Sequence, residues 1–201
     1  MNLNKAYFYT FFLIYFTLHI IFINNFPLNF EFTFSNFSNF FENYDKKIID
    51  QYFLSQANTL AFPFVAGFIT KILGIDNGLY VTRLISVLSY IFLILGLINF
   101  SRYYKFEINY FLIILFFLNP LIWLFGYRGT PDLISASLGF YGISGLWNLK
   151  FNTKKFYYSF FIAFSIILKP HCFIFGLILF FHYLILKRKN IFNNFLFLIA
   201  I

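Results

Sequence analysis

The sequence predicts an all-α protein, a polytopic bundle of transmembrane helices with an outer-face loop that carries juxtamembrane helices. Of the 201 residues, 61% are hydrophobic and only 11% are charged, whereas a soluble domain carries about 25% charged residues. Several apolar segments approach the length of about twenty residues that a helix needs to cross a bilayer. The basic residues flank these segments, which is typical of membrane proteins.

The apolar segments predict seven helices in one transmembrane domain that covers 1–201. The helices are expected at about 7–26, 82–100, 108–125, 132–149, 156–168, 171–186 and 191–201, with an outer loop at 27–81. The first helix is too long for a secretory signal and lacks a small-residue cleavage site. The last apolar run has only about eleven residues, too few to cross a bilayer. We therefore expect the chain to be a fragment of a longer membrane domain.

The distribution of charge predicts the orientation. The net charge of +8 would suit nucleic acid, but the positive-inside rule explains it better, so no nucleic-acid partner is expected. We assume that 59–75 lies on the outer surface and that 156–186 forms two helices meeting at "KPH", 169–171. Nine of the fifteen basic residues are then cytoplasmic, and six of the seven acidic residues are outside.

Composition also indicates the compartment. Phe, Tyr, Asn, Ile and Lys are abundant, and their codons are AT-rich, which points to a prokaryotic genome of that bias. We therefore expect a multi-pass protein of a bacterial plasma (inner) membrane, in contact with membrane lipids.

The single cysteine, Cys172, lies inside an apolar run and offers neither a disulfide nor a metal site.

In this orientation several ionisable residues lie at the outer face, at or just below the lipid headgroups. They are Asp45, Asp50, Arg83, Arg128, Asp132, Lys169 and His171. Charged groups at membrane depth cost about 2.5–3.5 kcal/mol even on insertion scales, so their presence calls for a physical reason.

Each of these residues also has a plain structural explanation. Arg128 could anchor the chain at the interface by snorkelling. Asp132 follows Pro131 and could cap a helix, and Lys169 could pair with Asp132. A helix N-terminus also binds anions, so an arginine beside one suits a phosphate. The lone His19 and His182 are more typical of hydrogen-bonded core histidines than of ligands.

Four motifs follow one another along the chain. Asp50 is followed by Tyr52 and Ala57, then "FPFVAGFITKILG" precedes "TRLISVLSYIFLILG", which contains Arg83. Asp132 lies in "TPDLISASLGFYG", and Lys169 in "IILKPHCFIFG". Over about residues 7–190 this order resembles the N-terminal half of the GT-C superfamily glycosyltransferases, which include protein O-mannosyltransferases and the lipid A aminoarabinose transferase.

The sequence departs from the family pattern at two of these motifs. The usual acidic pair is Asp50–Gln51 here, and the usual double proline is the single Pro63. The first departure keeps Asp45 as a second catalytic candidate beside Asp50.

The resemblance implies an enzyme that transfers a hexosyl or pentosyl group from a polyprenyl-phosphate donor to a lipid, glycan or protein acceptor. It implies that Asp50, or else Asp45, receives the proton of the acceptor hydroxyl. The residues implied in binding the donor and stabilising its leaving phosphate are Lys169, Arg128, Arg83 and His171.

Asp132 would orient Arg128 or help to hold a divalent metal, which some family members need and others do not. The sequence implies no certain cofactor.

Two other functions stay open. A multi-pass transporter or flippase would place charges near the midplane on broken helices, often in repeated halves. A non-catalytic membrane subunit would suit the short chain.

Overall fold

The structure is a computed structural model that describes residues 3–23, 60–75, 77–148 and 155–186. Within these ranges every regular element is helical, as the sequence predicts. The helices are α1 (Leu3–Ile21), α2 (Ala61–Leu73), α3 (Gly78–Tyr104), α4 (Tyr110–Phe117), α5 (Pro120–Tyr127), α6 (Pro131–Asn148), α7 (Lys155–Leu168), a 3-10 turn (Pro170–Cys172) and α8 (Phe173–Leu186). The apolar run 191–201 and most of the outer loop lie outside the described residues.

Helix α3 is long and apolar enough to cross a membrane by itself. Its 27 residues extend for about 40 Å at 1.5 Å per residue, compared with about 30 Å for the hydrocarbon core. It exceeds the predicted segment 82–100 at both ends. Helices α1, α2, α7 and α8 are apolar but shorter.

The predicted helix at 108–125 is two helices in the structure. Helices α4 and α5 are bent by 61° at a short break. At the break the side chain of Asn119 accepts a hydrogen bond from the backbone N–H of Leu121 at 2.9 Å. Pro120 follows and has no N–H to donate. The continuous apolar pattern predicts one helix, but the cap and the proline start a new helix in a new direction.

Helix α2 is amphipathic and lies within the segment 59–75 that is expected not to cross. It has 13 residues and buries Phe62, Pro63, Ala66, Gly67 and Thr70. It ends at Gly74, whose φ of 63° is left-handed and whose N–H bonds the Thr70 carbonyl. At about 20 Å this helix is shorter than the hydrocarbon core is thick.

The described residues form two compact units. The first unit comprises the described parts of Met1–Tyr90 and Glu107–Ile134, and the second unit those of Ile91–Phe106 and Ser135–Ile201. The second unit packs around a core of Ile143, Leu146, Ile162 and Leu179.

In the first unit α4 and α5 follow α1 along its whole length. The ring centroids of Phe8 and Tyr110 are 5.0 Å apart, and those of Phe12 and Phe117 are 4.8 Å apart. Further along, the rings of His19 and Trp123 lie 4.1 Å apart. Since the partners advance together along both segments, α1 and the α4–α5 pair run parallel.

The first part of α3 runs in the opposite direction to α1. Tyr90 of α3 meets Tyr15, with ring centroids 5.3 Å apart, and Arg83, seven positions earlier, meets Ile23 beyond the end of α1. The end of α1, the beginning of α3 and the end of α5 therefore lie at the same end of the first unit.

Candidate functional site

The charged end of the first unit, defined by Arg83, Arg128 and Asp132, is the candidate site. Arg83 lies in the second turn of α3, and Arg128 directly follows α5. Asp132 lies in the first turn of α6. Three helix termini thus supply two guanidinium groups and a carboxylate at one end of this unit.

Arg83 is buried, with 1% of its surface exposed. Its Nη1 donates to the Ile23 carbonyl oxygen at 2.5 Å. Its guanidinium carbon lies 5.6 Å from the ring centroid of Tyr127, within the range of a cation–π contact. Because a buried charge is costly without hydrogen bonds and a favourable field, these contacts explain how the fold tolerates this cation.

The Tyr127 hydroxyl contacts the same part of the chain as Arg83. It donates to the carbonyl oxygen of Phe22, the residue before Ile23. Phe22 and Ile23 directly follow α1, and backbone carbonyls in such a turn need hydrogen-bond partners at a helix end that carries partial negative charge. Arg83 and Tyr127 together therefore satisfy two successive carbonyls where α1 ends.

The segment after α5 lies directly on the beginning of α3. A side chain at Gly129 would overlap the Thr82 hydroxyl, and its Cβ would lie 3.3 Å from the backbone nitrogen of Arg83. The Ser86 hydroxyl donates to the Thr130 carbonyl at 3.4 Å. Only glycine at position 129 lets the two backbones approach this closely, so the segment with Arg128 is held beside Arg83.

Arg128 is the more accessible of the two arginines. It is partly exposed, and its guanidinium carbon lies 5.9 Å from the ring centroid of Phe125. Its buried Nε has no hydrogen-bond partner among the described residues. A guanidinium beside the N-terminus of α6 gives a local positive potential, which suits a phosphate oxyanion.

Lys169 lies in the second unit, between α7 and the 3-10 turn. Its backbone is extended, with φ −149° and ψ 111°, and its carbonyl accepts from the Cys172 N–H at 2.9 Å. Burial lowers the pKa of the Lys169 amine below its ordinary value, and the neighbouring Cys172 offsets part of this shift. His171 is exposed on the same turn.

The structure brings together part of the predicted set of site residues. Arg83, Arg128 and Asp132 lie in the first unit and Lys169 and His171 in the second. The two catalytic candidates, Asp45 and Asp50, lie outside the described residues. Among the described residues, no three His, Cys, Asp or Glu side chains are grouped so that they could hold a metal ion.

The sequence did not single out Tyr127 or the polar network behind it. The Tyr15 hydroxyl donates to the Tyr90 hydroxyl at 3.1 Å, and Tyr90 donates to the Ile122 carbonyl at 2.6 Å. His19 Nδ1 lies 2.9 Å from the Tyr15 carbonyl, as expected for a hydrogen-bonded core histidine. The spacing of four residues between Tyr15 and His19, which puts both on one helix face, was the available signal.

Comparison with known proteins gives no relative. No family model matches the sequence, and no curated protein or solved structure matches it significantly.

Proposed function

We propose that the protein is a multi-pass membrane glycosyltransferase of the GT-C type in a bacterial plasma membrane. It transfers a sugar from a polyprenyl-phosphate donor to a lipid, glycan or protein acceptor on the extracytoplasmic face. The observation that carries this proposal is the meeting of Arg83, Arg128 and Asp132 at one end of the first unit, in a chain with few charges. Such a site suits a phosphate that stays attached to a lipid.

Large apolar side chains on the outside of the helices support a membrane location for more than α3. Leu13 of α1 is 70% exposed and Phe111 of α4 is 65% exposed. Soluble monomers rarely expose contiguous apolar patches larger than a few hundred Å². The parallel course of α1 and α4–α5 supports a broken span, because a re-entrant loop would turn back along α1.

The reaction assigns roles to the acidic candidates and to the charges that would meet the donor. The acceptor hydroxyl oxygen forms a bond to C1 of the sugar as the bond from C1 to the phosphate oxygen breaks. The lipid phosphate leaves with the bonding electrons, and the hydroxyl proton passes to Asp50 or Asp45. Arg128 stabilises the negative charge that develops on the leaving phosphate, and Asp132 orients Arg128. Lys169 and His171 are further donor-binding candidates.

The proposal is tested with the full-length protein in liposomes and a panel of radiolabelled polyprenyl-phosphate sugars. Transfer to an added acceptor is expected. Arg128→Gln should raise the KM for the donor about tenfold or more, because hydrogen bonds to charged groups contribute about 1.5–3 kcal/mol. Arg102→Gln, which removes an exposed arginine at the end of α3, is the matched control. Absence of transfer from every donor would exclude the proposed activity.

The bend between α4 and α5 favours a second candidate function. Broken helices that line a substrate path are typical of transporters. A flippase would move a fluorescent polyprenyl phosphate between the leaflets of the same liposomes without any sugar transfer. Accessibility of the fluorophore to an impermeant quencher measures this movement directly.

A further inference from the structure

We propose that Arg83 and Tyr127 form a clamp on the end of α1, and that they are positioning residues for sugar transfer, not ligands of the donor phosphate. This inference rests on the proposed glycosyltransferase function. It assigns Arg83 a different role from Arg128, although both arginines lie at the charged end of the first unit.

The burial of Arg83 argues against direct contact with the donor. With 1% of its surface exposed, its guanidinium cannot be reached by a lipid phosphate unless the surrounding chain moves. One of its nitrogens already donates to the Ile23 carbonyl at 2.5 Å. Arg128, in contrast, is partly exposed.

The clamp joins three segments that are distant in the sequence. Arg83 lies in the second turn of α3, Tyr127 is the last residue of α5, and both donate to the carbonyls that follow α1. The guanidinium also lies over the Tyr127 ring, 5.6 Å from its centroid. Each of the two side chains therefore supports the other in contacting α1.

The position of the clamp in the chain gives it a functional role. The segment that leaves the clamp after Ile23 leads to Asp45 and Asp50, the candidates for the catalytic base. The residue after Tyr127 is Arg128, the candidate for the donor phosphate. The clamp thus fixes the point where the acceptor-side segment begins relative to the donor-side arginine. Misplacement of reacting groups by about 1 Å can lower a rate on the order of 100-fold.

Steady-state kinetics of transfer separate the two roles. Arg83→Gln should lower kcat on the order of 10- to 100-fold while the KM for the donor stays unchanged. Arg128→Gln should mainly raise that KM. Arg83→Lys, which keeps a cationic donor for the Ile23 carbonyl, should restore part of kcat, and Tyr127→Phe should lower kcat in the same direction as Arg83→Gln.

Two kinetic outcomes would overturn the clamp. A raised donor KM in Arg83→Gln would make Arg83 a phosphate ligand. Unchanged kcat and KM per folded molecule, with only a lower yield of folded protein, would leave Arg83 a purely structural role.

A distance measurement tests the clamp even if no sugar transfer is found. Spin labels at Ile21→Cys and Asn77→Cys, in a Cys172→Ser background, report the distance between the end of α1 and the beginning of α3. Both label positions are exposed. A narrow distance distribution is expected, and Arg83→Gln should broaden it. An unchanged distribution in Arg83→Gln would show that Arg83 does not hold the end of α1. Absence of transfer with a broadened distribution would instead reject the proposed function alone.

Discussion

For Arg83, the sequence predicts the position in a helix but not the contacts that surround the side chain. The sequence places it near the start of a helix because a basic residue precedes a long apolar run, and α3 begins at Gly78. Its guanidinium contacts the Ile23 carbonyl and the Tyr127 ring, which are 60 and 44 positions away. No local pattern encodes such contacts, so the burial of Arg83 could not be predicted from the sequence.

Gly126 allows the close packing of α5 on α3. A Cβ there would overlap the hydroxyl and ring of Tyr90, which bonds the Ile122 carbonyl. Gly126→Ala should therefore destabilise the protein by about 1–3 kcal/mol, as overpacking does. Thermal unfolding in detergent measures the change.

Gly176→Ala is the matched control for this prediction. Its added Cβ meets nothing closer than 3.9 Å, and alanine stabilises a helix interior relative to glycine by roughly 0.5–1 kcal/mol. If Gly126→Ala were as stable as Gly176→Ala, the Tyr90 contact would not exist as described.

From the proposed role of Lys169 we predict that donor binding depends on pH. If its amine binds the donor phosphate, the donor prefers the ammonium form and raises the pKa on binding. Affinity is then complete below the pKa of the free enzyme and falls as the pH rises through that value. Because burial lowers the pKa of Lys169, the fall begins at a lower pH than for an exposed lysine.

The measurement is the donor Kd from about pH 7 to about pH 10, near which a lysine ordinarily titrates. Lys169→Arg serves as the control, because arginine keeps its charge throughout this range. Equal pH profiles for both proteins would remove Lys169 from donor binding.

At the level of elements, the α4–α5 pair shows what hydropathy alone misses. The segment 108–125 is apolar throughout, so its composition predicts one crossing. The dipeptide Asn119–Pro120 is itself a break signal, and its meaning becomes clear only with the cap to Leu121. After the bend α5 packs against α1 through Trp123 and His19, a contact that the sequence does not specify locally.

The cap at Asn119 is a testable part of this break. Asn119→Ala removes the acceptor for the Leu121 N–H and should cost about 1 kcal/mol of stability, as for other N-caps. Asn119→Ser keeps a capping oxygen and should lose only about a few tenths of a kcal/mol of stability. Chemical denaturation of the two variants in mixed micelles provides the comparison, and equal loss in both would mean that the cap is not formed.

For the whole molecule, charge distribution predicts an orientation but not which residues meet. The flanking lysines and arginines assign inside and outside through the positive-inside rule. They do not reveal that Lys169 belongs to a different compact unit from Arg83 and Asp132. Grouping into units depends on contacts between distant side chains, for which a single sequence carries little signal.

The proposed topology of the first unit is tested by cysteine accessibility in a Cys172→Ser background. Asn77→Cys and Arg128→Cys should react with an impermeant maleimide added outside intact cells. Glu107→Cys should react only after permeabilisation. If the Glu107 and Arg128 positions reacted from the same side, α4–α5 would be a re-entrant loop and the proposed orientation would be wrong.

The pairing of α1 with a segment made much later affects how the protein is assembled. Tyr127 bonds the carbonyl of Phe22 across a separation of 105 residues. Ribosomes add roughly 5–20 residues per second, so the first helix waits on the order of 5–20 seconds for this partner to be synthesised. In the proposed multi-pass topology, its buried tyrosine and histidine face lipid or the insertion machinery during that interval, before their later partners are present.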